Sequence, residues 1–376
     1  MGLSWSPMRV LMATPRFLPE IGGVERHVER LGERLARAGC HVTVLTTGLE
    51  QGLPARELVQ GIEVRRVNGW GRERGLYVAP SLYADIKRGE WDIVHVQSYH
   101  TFVAPLAMLA ASRAGLPYVV TFHGGGHSSR IRSSVRPLQL LALRPLLSRA
   151  SRLVAVARFE IEHYGRRLGI PESRFALIPN GADLPSPRRA LATSGGRFQI
   201  ASVGRLERYK GHHRVLAALP HILEARPDAT LWIAGSGPYE QKLRRLAAEL
   251  GVADRVTIEA VPADAADELA ARLAAVSVVV LLSEFETHPL AAIEALALGR
   301  PVVVADTSGL HELAAQGLAR PVPLDSDPAV VAAAVLEEAE RSAPPGKVAV
   351  LPSWDDCAAA HQALYESVLQ EGACAS

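Results

Sequence analysis

The amino-acid sequence predicts an α/β protein with two Rossmann-like, doubly wound domains that face each other across a cleft. Short runs rich in valine and isoleucine alternate with helical patterns along the whole chain, which is typical of parallel sheets covered by helices. Several of these runs are apolar on consecutive residues, as expected of strands buried on both faces. A chain of 376 residues is also long enough for two domains, each with its own core.

The first series of strand patterns predicts a domain over residues 1–185. Helical patterns lie between most of these strands, and their alternation indicates a doubly wound parallel sheet. The predicted strands cover residues 9–14, 41–47, 62–67, 92–98, 118–124, 152–157 and 175–181.

The second series predicts a further domain over residues 198–352. Between the two series, residues 184–197 (LPSPRRALATSGGR) have no periodicity and are typical of a linker. A helix that begins near Ser353 has no strand after it, and we expect residues 353–376 to pack back toward the first domain. The predicted strands of the second domain cover residues 198–204, 229–235, 255–261, 277–283, 301–307 and 319–324.

Composition restricts the class of protein. The hydrophobic fraction of 48% and the charged fraction of 21% are ordinary for a globular protein, and a net charge of +2 is too small to indicate nucleic acid as a partner. The 3 cysteines are far apart in the sequence, which favours a reducing compartment and disfavours a zinc site. No apolar run reaches the roughly 20 residues that span a bilayer, and the N-terminal residues make a poor signal peptide. We therefore expect a cytoplasmic protein.

Ligands of such sheets bind beyond the carboxyl ends of the strands, so the residues there are the candidates for a site. After the first strand, Gly22 and Gly23 precede a helix, where a glycine pair lets backbone N–H groups approach an anion. A flexible loop with an ordinary helix cap explains this pair equally well. His123 ends another strand and is followed by three glycines, which favours ligand contact over a structural role.

The strand end SVGRLERYKGHHRV carries the strongest charge signal. Gly204 is followed by Arg205 and Lys210, and two fixed cations at the mouth of a sheet suit a diphosphate. A solvated basic loop is the alternative. Only four of the 41 basic residues are lysine, so Lys210 favours a need for a compact point charge. Gly235 ends the next strand, where close packing and ligand approach both fit.

Two glutamates, Glu286 and Glu294, are separated by seven residues in the stretch EFETHPLAAIEALALG. Glu294 lies in a predicted helix of Ala, Leu and Ile, and an unpaired buried carboxylate costs several kcal/mol, so it needs a polar partner or a ligand. We expect Thr287 or His288 to cap this helix, with Pro289 in its first turn. The alternative is that Glu286 is a surface residue and Glu294 pairs with an arginine. The neighbours that we expect to be buried around Glu294 are Leu290, Ala291, Ala297 and Leu298.

Taken together, these motifs resemble family 4 of the retaining, nucleotide-sugar-dependent glycosyltransferases, which have the GT-B fold. Any one motif is weak, but the ordered set covers nearly the whole chain and is highly specific. The matching stretches are IGGVERHVERL, TFHG, LIPNGAD, SVGRLERYKG, IAGSGP, the two glutamates, ALALGRPVV and the late SW pair.

The resemblance implies a role for each motif. Gly23 would present its backbone N–H to the distal phosphate, and Arg205 and Lys210 would clamp the diphosphate. Glu286 would hold the hydroxyls of the donor sugar, Glu294 the ribose, and His123 would also contact the sugar. The other implied donor contacts are Gly22, Asn180, Gly204, Gly235, Val261 near the base, Thr287, His288 and Leu290.

The resemblance also implies the chemistry. Breaking the anomeric bond builds negative charge on the leaving diphosphate, which preorganised cations stabilise, so no metal or cofactor is expected. Asp327, which follows Asp325 in a metal-like DxD, instead indicates a helix cap before Pro328. The expected nucleotide of the donor is UDP, with GDP as the second choice. The expected acceptor is a glycan, a lipid-linked molecule or a small natural product.

The chain departs from the family pattern at two places. In the family, a Gly-Phe-Gly run usually follows the first glutamate, whereas this chain has Thr287, His288 and Pro289. The glycine that is common in the family after the RVTI strand, near the expected base contacts, is replaced here by Glu259-Ala260. Three other functions stay open on this fold: a sugar phosphorylase, a nucleotide-sugar epimerase, and a non-catalytic subunit that binds nucleotide sugars.

Residues 124–159 contain no acidic residue. They predict either a helix with a solvated basic face or a surface for anionic lipid or a phosphate-bearing acceptor, and hence a possible peripheral membrane contact. The arginines of this segment are Arg130, Arg132, Arg136, Arg144, Arg149, Arg152 and Arg158.

Overall fold

The computed structural model describes residues 7–20, 22–71, 76–124, 130–181, 198–261, 266–341 and 352–375. The chain divides into two compact units. The first unit consists of Met1–Gly124, Ile131–Gly181 and Pro352–Ser376, and the second of Gly125–Arg130 and Ala182–Leu351. The predicted linker at 184–197 lies outside the described residues.

The first unit contains an eight-stranded sheet in the order β3-β4-β2-β1-β5-β6-β7-β8. All neighbours are parallel except β3 and β4, which are antiparallel. The strands are β1 Arg9–Ala13, β2 His41–Thr47, β3 Arg56–Val59, β4 Ile62–Val67, β5 Ile93–Gln97, β6 Tyr118–Thr121, β7 Arg152–Ala155 and β8 Phe175–Leu177.

The second unit contains a six-stranded parallel sheet in the order β11-β10-β9-β12-β13-β14. The strands are β9 Gln199–Val203, β10 Thr230–Ala234, β11 Val256–Glu259, β12 Val278–Leu281, β13 Val302–Ala305 and β14 Arg320–Val322. Together the two sheets confirm the predicted α/β class with two Rossmann-like domains.

Helices connect most of the strands. In the first unit they are α1 Gly23–Arg37, α2 Pro80–Arg88, α3 Val103–Arg113, α4 Arg130–Leu147 and α5 Arg158–Leu168. In the second unit they are α6 His212–Ala225, α7 Glu240–Glu249, α8 Ala266–Ala275, α9 Leu290–Ala297, α10 Ser308–Ala315 and α11 Pro328–Glu340. The last helix, α12 Trp354–Ala375, belongs to the first unit.

Strand β1 shows why consecutive apolar residues predict a central strand. Val10 and Met12 pack in one core cluster, and Leu11 and Ala13 pack in another. All four are fully buried, because a strand directs successive side chains to opposite faces and helices cover both faces of this sheet.

The sequence prediction missed the edge strand β3. Its side chains alternate between exposed and half-buried, and Leu58 is 76% exposed, so it lacks the apolar run that marked the other strands. The turn between β3 and β4 places Gln60 and Gly61 at φ values of 51° and 83°. The pairing with β4 therefore depends on a tight turn and on backbone hydrogen bonds rather than on an apolar pattern.

Helix α12 packs against α1 in the first unit. Tyr365 of α12 is fully buried and lies in the same core cluster as Leu31 and Leu35 of α1. The helix begins with a reciprocal cap, because Ser353 Oγ accepts from the Asp356 backbone N–H at 3.1 Å and Asp356 Oδ2 accepts from the Ser353 backbone N–H at 2.9 Å.

Candidate active site

The second unit brings Lys210 and Glu286 together, although they are 76 residues apart in the sequence. Lys210 follows β9 and Glu286 follows β12, and these strands are neighbours in the sheet. Lys210 Nζ lies 2.6 Å from Glu286 Oε1, with side-chain exposures of 17% and 11%. Ser283 Oγ donates to the same carboxylate oxygen at 2.8 Å. A lysine and a carboxylate, both largely shielded from solvent, thus lie at the carboxyl edge of the sheet.

Arg205 lies near this pair in the sequence and is 65% exposed. Its Nη2 donates to Tyr209 Oη at 2.7 Å, and its Nη1 lies 2.9 Å from Glu207 Oε1. Lys210 Nζ lies 5.5 Å from the centre of the Tyr209 ring. Tyr209 therefore touches both predicted clamp cations, and it is a site residue that the sequence analysis missed because tyrosine has no distinctive spacing there.

A buried histidine, His212, bonds the backbone of the segment that carries the two cations, Arg205 and Lys210. Its Nε2 donates to the Arg205 carbonyl at 3.3 Å, and its Nδ1 accepts from Ser202 Oγ at 2.8 Å. Burial lowers the pKa of His212 to about 4, so the ring is neutral at neutral pH and can bond both partners. Sequence reasoning treated this residue only as part of a basic stretch.

Two glycines in the segments that follow β9 and β10 allow a close approach of backbone segments. Gly211 has φ 74°, and a side chain there would collide with the Leu282 backbone. Gly235 has φ 159°, and a side chain there would collide with the carbonyl of Gly204. Close packing is therefore a sufficient reason for Gly211 and Gly235, whatever else they contact.

The loop that carries Glu286 is fixed by the residues after β13. The Glu286 backbone N–H donates to Ser308 Oγ at 2.8 Å, and the Gly309 N–H donates to the Glu286 carbonyl at 2.9 Å. Thr307 Oγ1 donates to the Ser283 carbonyl at 2.8 Å. Ser308 adopts φ 42°, a strained value for a residue with a side chain, and such strain concentrates at functional sites.

The structure corrects two expectations about α9. The buried residues of this helix include Ala292, Ile293 and Ala295, which face β12 and β13, whereas Glu294 is only half-buried. Of the neighbours of Glu294 that were expected to be buried, only Leu298 is, at 8% exposure. The other three, Leu290, Ala291 and Ala297, are half-buried, so that expectation is wrong for them. The face that contacts the sheet is rotated away from Glu294.

The expected capping of α9 is also wrong. Pro289 is the N-cap residue rather than part of the first turn, and neither Thr287 nor His288 provides a side-chain cap. Thr287 Oγ1 and His288 Nε2 are buried and have no hydrogen-bond partner among the described residues. Burial lowers the pKa of His288 to about 4, so its ring is neutral.

Glu259, which replaces a common family glycine, has a structural role in the second unit. Its Oε1 accepts from the buried indole N–H of Trp232 at 2.9 Å and also pairs with Arg272. The Arg272 guanidinium stacks over the Trp232 ring at 4.0 Å. Val261, the expected base contact, is half-buried just after β11.

In the first unit, His123 lies two residues beyond β6 and adopts φ 44°. Its Nε2 lies 2.7 Å from Gln97 Oε1, and its ring meets His27 edge-on at 4.5 Å. Burial lowers the pKa of His123 to about 3. The ring is therefore a neutral hydrogen-bonding group rather than a cation at neutral pH.

His123 belongs to a histidine cluster, which we define as His27, His95, His123 and His361. His95 bonds Tyr365 Oη at 2.6 Å and Thr121 Oγ1 at 2.7 Å, and its ring lies 5.4 Å from that of His361. Burial lowers the pKa of all four members. Sequence analysis identified only His123, because the others are brought to it by α1, β5 and α12.

The remaining predicted contacts of the first unit have different environments. Asn180 is 9% exposed, and its Oδ1 accepts from His27 Nδ1 at 2.7 Å, so its side chain supports the histidine cluster. Gly22 is the N-cap of α1, and Gly23 is exposed with open space where a side chain would lie. The buried Glu25 carboxylate lies at the same helix start, where it pairs with Arg16 at 2.8 Å and occupies the space of a Gly22 side chain.

The structure confirms that Asp327 caps α11, because its Oδ1 accepts from the Ala329 N–H at 2.9 Å. Within the described ranges, no group of three or more His, Cys, Asp or Glu residues could hold a metal ion. Over the same ranges, no helix is both long and apolar enough to cross a bilayer.

Comparison with known families agrees with this fold. Residues 21–185 match the model for Glycosyltransferase Family 4, and residues 186–336 match the model for Glycosyl transferases group 1. The two parallel-sheet domains and these matches define the class of protein, a glycosyltransferase with the GT-B fold. More narrowly, the chain belongs to glycosyltransferase family 4.

Two relatives and one solved structure illustrate the similarity. A D-inositol 3-phosphate glycosyltransferase of Nocardiopsis dassonvillei is 30% identical, over 80% of this chain and 77% of that protein. A glycogen synthase of Mycobacterium tuberculosis is 30% identical, over 87% of this chain and 85% of that protein. The sucrose-phosphate synthase of Thermosynechococcus elongatus shares the fold, with a TM-score of 0.78 at 23% identity, covering 97% of this chain and all of that one.

Proposed function

We propose that this protein transfers a sugar from a nucleoside-diphosphate sugar to a hydroxyl group of a glycan, lipid-linked or natural-product acceptor, with retention of anomeric configuration. The bond between the anomeric carbon and the diphosphate breaks, and a bond from that carbon to the acceptor oxygen forms on the same face. The leaving phosphate takes the acceptor's proton. The observation that carries the proposal is the placement of Lys210 beside Glu286, with Arg205 nearby, at the carboxyl edge of the second sheet.

The charges suit each part of the donor. Arg205 and Lys210 supply two positive charges for the diphosphate, whose negative charge grows as the anomeric bond breaks. Both described bonds of the Glu286 carboxylate are to Oε1, and Oε2 has no partner among the described residues. That second oxygen can accept from a sugar hydroxyl while Lys210 and Ser283 hold the first. The proposed contacts of Gly23, His123 and Glu294 rest on the family resemblance.

The release of nucleoside diphosphate tests this function directly. We expect release that requires both donor and acceptor, with the sugar recovered on the acceptor. Turnover without an acceptor, or a sugar phosphate formed with inorganic phosphate, would favour an epimerase or a phosphorylase. Binding without turnover under any acceptor would favour the non-catalytic subunit.

The base is proposed to be uracil, with guanine second. The solved structure of an Anabaena protein named HepE holds UDP-glucose, and it shares the fold at a TM-score of 0.68 and 20% identity. A relative from Xanthomonas oryzae that is 29% identical is named as a GDP-mannose-dependent mannosyltransferase. Thermal unfolding in the presence of UDP, GDP, ADP and dTDP would identify the base, because a bound ligand raises the stability of the folded state.

Substitutions of the two glutamates, Glu286 and Glu294, are expected to affect different steps, one catalysis and the other binding. Glu294→Gln weakens binding of donor and free nucleoside diphosphate alike, because ribose contacts are similar in the ground and transition states. Glu286→Gln leaves affinity for the free diphosphate nearly intact and lowers kcat, because its partner is the transferred sugar. Calorimetric titration with the nucleotide and steady-state kinetics with the donor separate these effects. The reverse pattern would mean that the two roles are exchanged.

Activity is expected to persist in EDTA. The two clamp cations supply the positive charge that a divalent metal supplies in other transferases. The measurement is the initial rate before and after dialysis against EDTA, with the same preparation dialysed against buffer as the control. A loss of activity that only Mg²⁺ or Mn²⁺ restores would contradict the proposed clamp.

We also propose a peripheral contact between α4 and anionic lipid. Leu138 and Leu141 are 69% and 55% exposed and one helical turn apart, and Arg144 is exposed one turn further along α4. Exposed leucines next to arginines suit a surface with anionic headgroups above an apolar interior.

Flotation with phosphatidylglycerol vesicles at low salt tests this contact. The wild-type protein is expected to float with the vesicles, and a Leu138→Ser/Leu141→Ser variant to lose most of this binding. Leu58→Ser is the matched control, because Leu58 is 76% exposed on β3 instead. Equal flotation of all three proteins, or none by the wild type, would exclude a lipid contact at α4.

A further inference from the structure

Gln97 and His123 lie at the carboxyl ends of adjacent strands. Gln97 is the last residue of β5, where it pairs with Thr121 of β6. Its side chain is only 1% exposed, and its amide oxygen lies 2.7 Å from His123 Nε2. An amide oxygen can only accept, so His123 Nε2 must carry the proton in this bond. Gln97 thus bonds the imidazole from a buried position in the core of the first unit.

The backbone on both sides of this bond is held in a strained form. His123 has φ 44° and Ser98 has φ 72°, and neither is a glycine. Glu160, which is fully buried, accepts from the Gly124 N–H at 3.1 Å and from the Val156 N–H at 2.9 Å. Strained residues persist when their surroundings over-determine them, and they concentrate where a side chain must be aimed. Here the contacts fix both the backbone and the ring of His123.

We propose that Gln97 is a positioning residue that fixes the tautomer of His123. With its Nε2 proton committed to the Gln97 amide oxygen, His123 keeps the lone pair on Nδ1. Nδ1 then serves as a hydrogen-bond acceptor for a hydroxyl of the donor sugar. This inference rests on the proposed function, in which His123 contacts that sugar, and it adds how the ring is set for the contact.

The surroundings of the ring favour the neutral form that this role requires. His27 packs edge-on against His123, and burial is the main reason that the pKa of His123 falls to about 3. A neutral imidazole has two tautomers of similar energy in water, so one strong hydrogen bond decides between them. Within the described residues, the Gln97 oxygen is the hydrogen-bond partner shown for the His123 ring.

Three variants test this role. Gln97→Met removes the acceptor at nearly constant size, and we expect ¹⁵N NMR to show His123 changing from the Nε2–H tautomer to a mixture. We expect kcat to fall on the order of tenfold, as for one lost hydrogen bond, while affinity for free nucleoside diphosphate is unchanged. Gln97→Glu keeps an acceptor oxygen and is expected to retain the proton on Nε2. Gln370→Met, at an exposed position of α12, is the matched control.

The NMR comparison uses no substrate, so it separates this inference from the proposed function. If the wild type transfers no sugar, the proposed function fails, and the spectra still support or overturn the tautomer assignment. A wild-type spectrum with the proton on Nδ1 would overturn it. So would a Gln97→Met variant with an altered tautomer and unchanged kcat. If Gln97→Met does not fold, a retained Nε2 proton in Gln97→Glu supports the inference and a lost one overturns it.

Discussion

Lys210→Ala is expected to lower kcat on the order of a hundredfold or more, because the negative charge on the leaving diphosphate grows in the transition state. The substitution also leaves Glu286, whose side chain is 11% exposed, without its cation at 2.6 Å. Both effects reduce turnover, so the loss of kcat should exceed the loss of donor affinity. Steady-state kinetics with the full donor, together with titration of the free nucleotide, measures the two separately.

Lys242→Ala is the matched control, because Lys242 is an exposed lysine of α7 in the same unit. It should leave kcat and nucleotide affinity unchanged. Arg205→Ala should also lower kcat strongly, since its guanidinium is the second clamp cation. Near-wild-type turnover in either clamp variant would show that this position does not bind the diphosphate.

Acid is expected to destabilise the first unit steeply below about pH 6.5, the ordinary pKa of histidine. In the folded protein, burial lowers the pKa of His27 and His95 well below this value, of His123 to about 3 and of His361 to about 4. Between these values the unfolded chain binds more protons than the folded one. Stability is therefore complete above pH 6.5 and falls as the pH decreases toward 4.

The size of this effect follows from linkage. Each buried neutral histidine contributes a slope of up to about 1.4 kcal/mol per pH unit, so the four together can remove several kcal/mol of a marginal stability. Urea unfolding at pH 7.5 and 5.0, followed by hydrogen exchange of α1 and α12 peptides, measures the change in this unit. His361→Gln should reduce the slope by about one proton. Equal stability at both pH values would contradict the prediction.

Much of the fold is readable from local sequence. Consecutive apolar residues such as Val10 and Leu11 indicate a strand buried on both faces, because strand geometry sends neighbours to opposite sides. Edge strand β3 is not readable in this way, because its pairing with β4 depends on backbone bonds and a turn at Gln60 and Gly61. The contact face of α9 was also mispredicted, because helical spacing alone does not decide which stripe meets the sheet.

The sequence by itself determined which positions belong to the candidate site, because the residue types at the predicted strand ends mark them. Among these positions are Arg205, Lys210, Glu286 and His123. Their chemistry is local, since it depends on which side chain follows which strand. Only the tertiary structure decided their partners. Strand order places β9 beside β12, so Lys210 meets Glu286, and it places β5 beside β6, so Gln97 meets His123. Those partners are distant in sequence, and no local pattern records which strand ends become neighbours.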